Sequence, residues 1–400
     1  MGKLFVLLLN IGFISAVLGN CTVQEAMKYY PRIINEFRGD IVTRLSIYTD
    51  NHFVISSLSL WTMLASISFA AAVETLEELD LVLKLHPQPC ISRNFIETVK
   101  GMMSKANKEY GIIFERSSTI FADRSLSFRD SFRQEVEAAG VTKLQEMDIG
   151  NLDEYAADIN SFVKSETGGV IDDVVTPMDL VAAQVVFVDA LCFKGTWKYQ
   201  LMTQYSQPTP FYASLGKRIG DVHLVYGKLQ LNMTDVPQMN ATVLEMPYDN
   251  DRFSMLFILP DKGVNLWRVI ENLKFFNLHT IFNRFEFQHV TVKIPRFQIS
   301  AASNLKHTLI DVGLKCMFGP GAEFPGMAER SLYVTNVIQK VTVEVTEEGS
   351  ETSTSDSTAT SDGYKINTLF EANRPFVYMI VDKYREIALF TGAYSMPSLY

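Results

Sequence analysis

The chain has 400 residues, of which 47% are hydrophobic, and it carries a formal net charge of −9. A chain of this size and composition can bury a large core. The acidic balance, with no basic stripe to offset it, argues against nucleic acid or another polyanion as the main partner.

The first residues resemble a secretory signal. Lys3 supplies a positive charge, residues 4–18 are mostly apolar, and small residues follow. We predict that residues 1–19 are a cleaved signal peptide and that the protein is secreted and extracellular. A membrane anchor is the alternative, but Asn10 and Ser15 interrupt the run, which is too short to span a bilayer.

Three Asn-x-Ser/Thr sequons are glycosylation candidates, which fits a secretory route. They are Asn20, Asn232 and Asn240. The four cysteines lack metal-site spacing and permit three pairings if all are oxidised. Cys192 lies in an apolar segment and is expected to be a buried thiol. We predict no metal and no cofactor.

Helical patterns lie in the first half of the chain. Leu60, Leu64 and Ile67 recur at helical spacing. Thr75-x-x-Glu78, ahead of further apolar residues at helical spacing, predicts a capping box that opens the next helix.

Strand patterns follow Val181. They cover residues 185–188, 254–259, 290–294, 332–345 and 374–392. Helices first and strands later predict an α+β fold, with helices packed on large, mainly antiparallel sheets. No linker divides the chain, so residues 20–400 are expected to form a single domain.

Asp189 is anomalous because it lies inside the apolar strand 185–193. An isolated carboxylate in a low-dielectric core either neutralises or costs several kcal/mol. The residue therefore needs a partner, unless the strand leaves the core at this point.

Residues 347–362 read EEGSETSTSDSTATSD, in which Ala359 is the only apolar side chain. Such a segment buries nothing, so we predict an exposed loop between two strands. Long loops of this kind are usually functional or disordered. The alternative is a Ser/Thr spacer that carries O-linked glycans.

No catalytic motif supports an enzyme. The chain contains no G-x-S-x-G, H-E-x-x-H or C-x-x-C pattern. Gly319-Pro-Gly321 begins like a phosphate-binding turn, but Phe324 stands where a third glycine is needed. We therefore predict that the protein is not an enzyme.

Six segments of the chain closely resemble segments of the serpin family, and they follow the same order as in that family. They are FKGTW at 193–197, LEMPY at 244–248, SM and LP within 254–260, IPRF at 294–297, VTEEGSE at 345–351, and FEANRPF with LFTG at 370–376 and 389–392.

The resemblance implies an α+β fold with three sheets and an exposed reactive loop at about 347–370. It implies a monomer whose partner is an extracellular serine protease, which cuts the loop and is trapped when the loop inserts into the main sheet. The resemblance also implies a hinge at the start of the loop. This hinge consists of Glu347, Glu348, Gly349, Ser350, Glu351 and Thr352.

Family spacing gives two positions for the residue before the cut bond. Counting from Gly349 points to Gly363, and counting back from Pro375 points to Tyr364, which precedes Lys365. Tyr364 suits a chymotrypsin-like pocket, whereas a glycine offers such a pocket nothing to bind.

The inward-facing loop positions depart from the small or apolar residues of the family. Counting from Gly349, they are Ser350, Thr352, Thr354, Asp356, Thr358, Thr360 and Asp362. Burying three hydroxyls and a carboxylate without partners opposes insertion by something on the order of 5 to 10 kcal/mol. The alternative function is therefore a non-inhibitory binding, carrier or decoy protein with a serpin fold.

The second departure concerns the family's hydrogen-bond cluster beneath the sheet, called the shutter cluster here. Its positions correspond to Ser56, Ser59, Asp189 and Gln339. Asp replaces the usual Asn and Gln replaces the usual His. A carboxylate only accepts hydrogen bonds, and a Gln amide can donate one, so we predict that Gln339 partners Asp189.

Overall fold

Nine α-helices lie in the part of the chain that the computed structural model describes, which is residues 21–103, 112–148, 150–203, 208–351 and 368–399. They are α1 (Val23–Tyr48), α2 (Ser57–Ser68), α3 (Val73–Leu83), α4 (Pro89–Met102), α5 (Asp130–Ala139), α6 (Leu152–Glu166), α7 (Leu266–Asn272), α8 (Leu278–Phe282) and α9 (Lys306–Asp311).

Eighteen strands lie in the same ranges. They are β1 (Phe53–Ile55), β2 (Ile112–Asp123), β3 (Lys143–Met147), β4 (Val185–Gly195), β5 (Trp197–Tyr199), β6 (Met202–Thr203), β7 (Thr209–Tyr212), β8 (Arg218–Val222), β9 (Leu224–Val236), β10 (Ala241–Pro247), β11 (Phe253–Pro260), β12 (Glu286–Pro295), β13 (Phe297–Asn304), β14 (Val334–Val345), β15 (Gly349–Glu351), β16 (Thr368–Glu371), β17 (Phe376–Asp382) and β18 (Ile387–Tyr394).

The strands form two large sheets and two small pairs. The larger sheet has the order β1-β18-β17-β11-β10-β9-β12-β16, with β6 also paired to β9. The five-stranded sheet has the order β13-β14-β4-β2-β3, and the small pairs are β15-β5 and β7-β8. Helices packed on these sheets give the expected α+β class.

The five-stranded sheet is buried on both faces. Inward residues of β2 and β4 such as Phe114 and Phe187 belong to the main core, and α2, whose residues are all buried, lies on that side. On the other face, Phe121 and Val186 join Ile159 of α6 in a smaller core. Strand β4 is buried over most of its length and, apart from Asp189, reads as a nearly continuous apolar run.

The sequence-based expectation for the first half of the chain needs two corrections. Strands β1, β2 and β3 also lie there, although no strand was expected before Val181. The predicted capping box is also wrong, because α3 begins at Val73 and Thr75 lies inside it. Thr75 Oγ1 instead accepts a hydrogen bond from the Glu323 N–H at 3.0 Å, a tertiary contact that replaces the cap.

Two of the four cysteines form a disulfide in the structure, and the other two are free. Cys21 and Cys90 form a disulfide that ties the first described residue to the start of α4, while Cys192 and Cys316 are free. Burial raises the pKa of the Cys192 thiol to about 11, so this group is an unreactive buried thiol.

No helix within the described ranges combines the length and the apolarity that crossing a bilayer requires.

Candidate functional site

The hinge runs outside the five-stranded sheet. Strand β15 pairs in parallel with β5, with Gly349 opposite Trp197. Before it, the carbonyls of Glu348 and Glu347 accept hydrogen bonds from the N–H groups of Trp197 and Leu201 at 2.9 and 3.1 Å. The hinge backbone is thus satisfied by the segment that follows β4.

Gly349 is required by a close backbone approach. A Cβ atom at this position would lie 2.3 Å from the backbone nitrogen of Gln200, which is a severe clash. Only glycine lets the hinge lie against this segment.

Trp197 anchors the hinge from below. Its indole Nε1–H donates to the Thr346 carbonyl at 2.8 Å, and its ring stacks on Tyr248 at 4.5 Å with an interplanar angle of 8°. The tryptophan is buried, so this hydrogen bond is shielded from water.

Strands β4 and β14 are paired directly with each other. Their parallel register runs from Val334 opposite Val185 to Glu344 opposite Lys194, with one irregularity near Asn336. No described strand lies between them. The sheet therefore has five strands, and the start of the loop has not entered it.

The structure brings all four shutter-cluster residues together. Ser59 Oγ donates to Asp189 Oδ1 at 2.9 Å, and Gln339 Nε2 donates to Asp189 Oδ2 at 2.7 Å. Gln339 Oε1 accepts from the Ser56 N–H at 2.8 Å. Asp189 is fully buried, so these donors replace the water that the carboxylate has lost.

Ser56 connects the cluster to the larger sheet. It is the N-cap of α2, where its Oγ accepts the Ser59 N–H at 3.2 Å. The same hydroxyl donates to the carbonyl of Leu389 on β18 at 2.7 Å. One short side chain therefore links α2, the cluster and both large sheets.

Arg116 completes the cluster, and sequence reasoning missed it. Its Nε lies 3.7 Å from Asp189 Oδ1 and donates to Ser59 Oγ at 3.0 Å. The signal was its spacing, since Arg116 alternates with Ile112, Phe114 and Ile120 on the inner face of β2. Burial lowers the pKa of Arg116, and the charge of Asp189 opposes that shift.

Several predicted residues lie outside the described ranges. They are the predicted signal peptide at 1–19 and Asn20, Thr352, Thr354, Asp356, Thr358, Thr360, Asp362, Gly363, Tyr364 and Lys365. Ser350 and Glu351 lie in β15, of which only the backbone is described. The roles of all these residues remain predictions.

The two described sequons differ in their surroundings. Asn232 lies in β9, and its Nδ2 donates to the buried carboxylate of Glu245 at 2.7 Å. Asn240 lies in the turn between β9 and β10, with a φ of 48°. A glycan on Asn232 would replace one hydrogen of an amide group that already binds Glu245, whereas no side-chain hydrogen bond holds Asn240 in the described structure.

One group of potential metal ligands lies away from the hinge. Side-chain atoms of Glu74, Glu78 and Cys316 lie within 4.8 Å of one another. Glu78 already accepts hydrogen bonds from the backbone N–H groups of Lys315 and Cys316. Burial and these carboxylates raise the pKa of the Cys316 thiol to about 11, so it is a protonated, poor ligand at neutral pH.

A polar cleft of about 380 Å³ lies between α1, α8 and the turn that joins β17 to β18. Its lining includes Lys28, Arg32, His279, Tyr384 and Arg385. It is called the basic cleft here, because its cations Lys28, Arg32 and Arg385 outnumber the single lining carboxylate, Glu386. Arg32 and Arg385 also pair with Glu36 and Asp382.

Comparison with known proteins gives consistent matches. The family model described as serpin (serine protease inhibitor) matches residues 32–397. Antithrombin-III of Mus musculus is 30% identical over 357 residues, which cover 86% of this chain and 74% of that protein.

Solved structures share the fold. Maspin superposes with a TM-score of 0.82 at 22% identity, covering 93% of this chain and all of that one. Human thyroxine-binding globulin, in its complex with thyroxine, superposes with a TM-score of 0.79 at 21% identity, covering 92% and 98% of the two chains.

Proposed function

We propose that this chain, which belongs to the serpin family, is a secreted inhibitor that a serine endopeptidase attacks as a suicide substrate. The proposal includes removal of residues 1–19 and a monomeric single domain from residue 20 to 400. The observation that carries it is the uncut arrangement, in which β4 pairs directly with β14 while the hinge lies along β5.

The proposed mechanism uses strand addition. The protease serine attacks the carbonyl before the cut bond, the amine of the next residue leaves, and the loop stays attached to the protease as an ester. The freed segment after Gly349 then enters between β4 and β14, where both strands supply new backbone hydrogen bonds. Entry breaks the hinge contacts to Trp197 and Leu201 and the bond between Gln339 and Asp189.

The second candidate is a binding or carrier protein that does not trap proteases. Two observations favour it. The inward loop positions Thr352, Thr354 and Asp356 are polar. The basic cleft has room for a small anionic ligand beside three cations, two of which already pair with Glu36 and Asp382. One structural neighbour is named for binding a small molecule.

Incubation with proteases separates the two candidates. Chymotrypsin and trypsin are mixed with the purified protein and the products are resolved on denaturing gels. A conjugate that survives denaturant supports the inhibitor, whereas clean cleavage near residue 364 without a conjugate contradicts it and supports the carrier.

Matched loop variants assign the bond. Tyr364→Ser is expected to abolish the reaction with chymotrypsin and to leave any reaction with trypsin, while Lys365→Gln does the reverse. Loss of both reactions in either variant would contradict the assignment of the bond.

A ligand-binding assay tests the second candidate function, that of a carrier protein. Anilinonaphthalene sulfonate, a fluorescent anion, is expected to bind the wild type and to lose affinity in Arg385→Glu, because that change reverses a charge in the basic cleft. Lys262→Glu, at a site outside the cleft, is the control. Equal affinity in both variants would contradict a ligand site in the cleft.

A further inference from the structure

Asp189 has partners on both sides of β4. Gln339 belongs to β14 and lies directly opposite Asp189 in the strand register. Ser59 belongs to α2, and Arg116 belongs to β2, the neighbour of β4 on its other edge. The buried carboxylate is therefore shared between the part of the sheet that would move and the part that would stay.

Separating β4 from β14 removes one of these partners. Adjacent strands lie about 4.7 to 4.9 Å apart, so a strand that enters between them moves Gln339 away by about that distance. The 2.7 Å bond from Gln339 Nε2 to Asp189 Oδ2 cannot survive such a shift. Asp189 would then keep a single hydrogen-bond donor, Ser59 Oγ, while still buried.

Arg116 holds an unused donor beside this carboxylate. Its Nε binds Ser59, and its Nη1 donates to the Val141 carbonyl at 2.7 Å. Its Nη2 is buried and has no hydrogen-bond partner within the described chain. An unsatisfied buried guanidinium nitrogen costs stability in the closed sheet, and it leaves Arg116 a donor that can be used when the sheet opens.

We propose that Arg116 is a positioning residue for sheet opening, which donates to Asp189 through Nη2 when Gln339 leaves. The exchange needs a small rotation of a guanidinium that already lies 3.7 Å from the carboxylate. The opened sheet then contains a hydrogen-bonded ion pair in place of a buried carboxylate that has a single hydrogen-bond donor. This inference rests on the insertion step of the proposed function.

The proposed role of Arg116 predicts that removing Gln339 and removing Arg116 have opposite effects on the rate of sheet opening. Gln339→Leu weakens only the closed sheet, so opening becomes faster. Arg116→Gln removes the charge that the opened sheet needs most, so opening becomes slower even where the variant is less stable. A residue with a merely structural role would instead speed opening when removed.

Opening is measured without a protease. The probe is a synthetic N-acetylated peptide that copies residues 349–362 with Thr352, Thr354 and Asp356 replaced by Ala. Its uptake by the full-length protein is followed on native gels, and thermal unfolding of each variant is recorded beside it.

We expect Arg116→Gln to take up the peptide at least about tenfold more slowly than the wild type, because an unpaired buried charge is strongly unfavourable. Arg116→Lys keeps the charge and is expected to recover part of the rate. The double variant Arg116→Gln/Asp189→Asn, which removes both charges, is expected to restore it. The same variants serve as controls for correct folding.

Uptake by Arg116→Gln at or above the wild-type rate would overturn the proposal. So would a wild-type sheet that takes no peptide, because Gln339 would then never leave Asp189. Failure to trap any protease contradicts the proposed function alone, since peptide uptake does not depend on it.

Discussion

The side-chain amide of Gln339 binds three buried groups. Its oxygen accepts from the Ser56 N–H, and its nitrogen donates to the Ser56 carbonyl and to Asp189. The prediction from residue chemistry that Gln339 partners Asp189 agrees with this geometry.

We expect Gln339→Leu to lower the free energy of unfolding by about 2 to 4 kcal/mol, because it leaves a carboxylate oxygen and a backbone N–H buried without partners. Chemical denaturation measures the loss. Gln298→Leu, an exposed position on the neighbouring strand β13, is the control and is expected to have little effect. An unchanged denaturation midpoint for Gln339→Leu would contradict a stabilising hydrogen bond between Gln339 and Asp189.

The ring nitrogen Nδ1 of His52 holds residues 395–396, near the C-terminus, by accepting hydrogen bonds. Its Nδ1 accepts the N–H groups of Ser395 and Met396, both at 3.2 Å, and its ring lies 5.7 Å from that of Tyr394. The Asp50 carbonyl binds the Ser395 hydroxyl nearby. Only a neutral ring can accept at Nδ1, and burial lowers the pKa of His52 from its ordinary 6.5.

The sign of the pH effect follows from this lowered pKa. The unfolded chain binds the proton more readily, so the stabilising contribution is complete above about pH 6.5 and is lost as pH falls toward the folded pKa. Each unit of lowering is worth about 1.4 kcal/mol. We expect the unfolding free energy to fall more steeply between pH 7.5 and 5 in the wild type than in His52→Phe. Exposed His307→Phe is the control, and equal slopes in wild type and His52→Phe would contradict the prediction.

At the scale of elements, sequence periodicity recovered several apolar strands and missed others, among them the short β1 and the largely buried β10. β4, β11, β12 and β14 were predicted because apolar residues run through them. β2 was missed because Glu115-Arg116-Ser117-Ser118 interrupts its pattern with side chains that are buried in the fold. Arg116 was therefore not predicted as a site residue, because the role of a buried cation becomes visible only when the position of its carboxylate partner, Asp189, is known.

The hinge is held by backbone hydrogen bonds from Trp197 and Leu201 and, just before it, by the hydrogen bond from the Trp197 indole. We expect Gly349→Ala to push it off β5, because the new methyl group would clash with Gln200. Amide hydrogen exchange at Trp197 and Leu201, whose N–H groups bind the hinge, is expected to become at least about tenfold faster. Gly321→Ala, with open space around it, is the control. Undiminished protection at both amides would argue against this account of the hinge.

At the scale of the whole molecule, long-range pairing came from resemblance and not from periodicity. Nothing local indicates that residue 339 meets residue 189, yet their strands are adjacent throughout. The family resemblance supplied that order, and the shutter-cluster positions followed from it. The disulfide lay beyond both kinds of reasoning, because four distant cysteines allow three pairings.

Insertion of the cut loop would be the largest change this molecule makes. We expect replacement of Thr352, Thr354 and Asp356 by Ala to raise the unfolding temperature of the cut protein, because strand alternation would turn these positions inward after insertion and bury their polar groups. The uncut protein should be unaffected. Ser353, Ser355 and Ser357, which would face outward in the inserted strand, give the matched triple-Ala control. No gain in the cut inward variant would count against the proposed defect.

The placement of β16, β17 and β18 decides what a protease leaves behind. These strands follow the loop, and β17 and β18 are completely buried in the middle of the nine-stranded sheet. A cut near residue 364 severs the covalent connection but none of those sheet contacts. We therefore expect the C-terminal fragment to stay bound to the rest of the protein. The cut protein should elute from a size-exclusion column as one species, and the two fragments should separate only in denaturant.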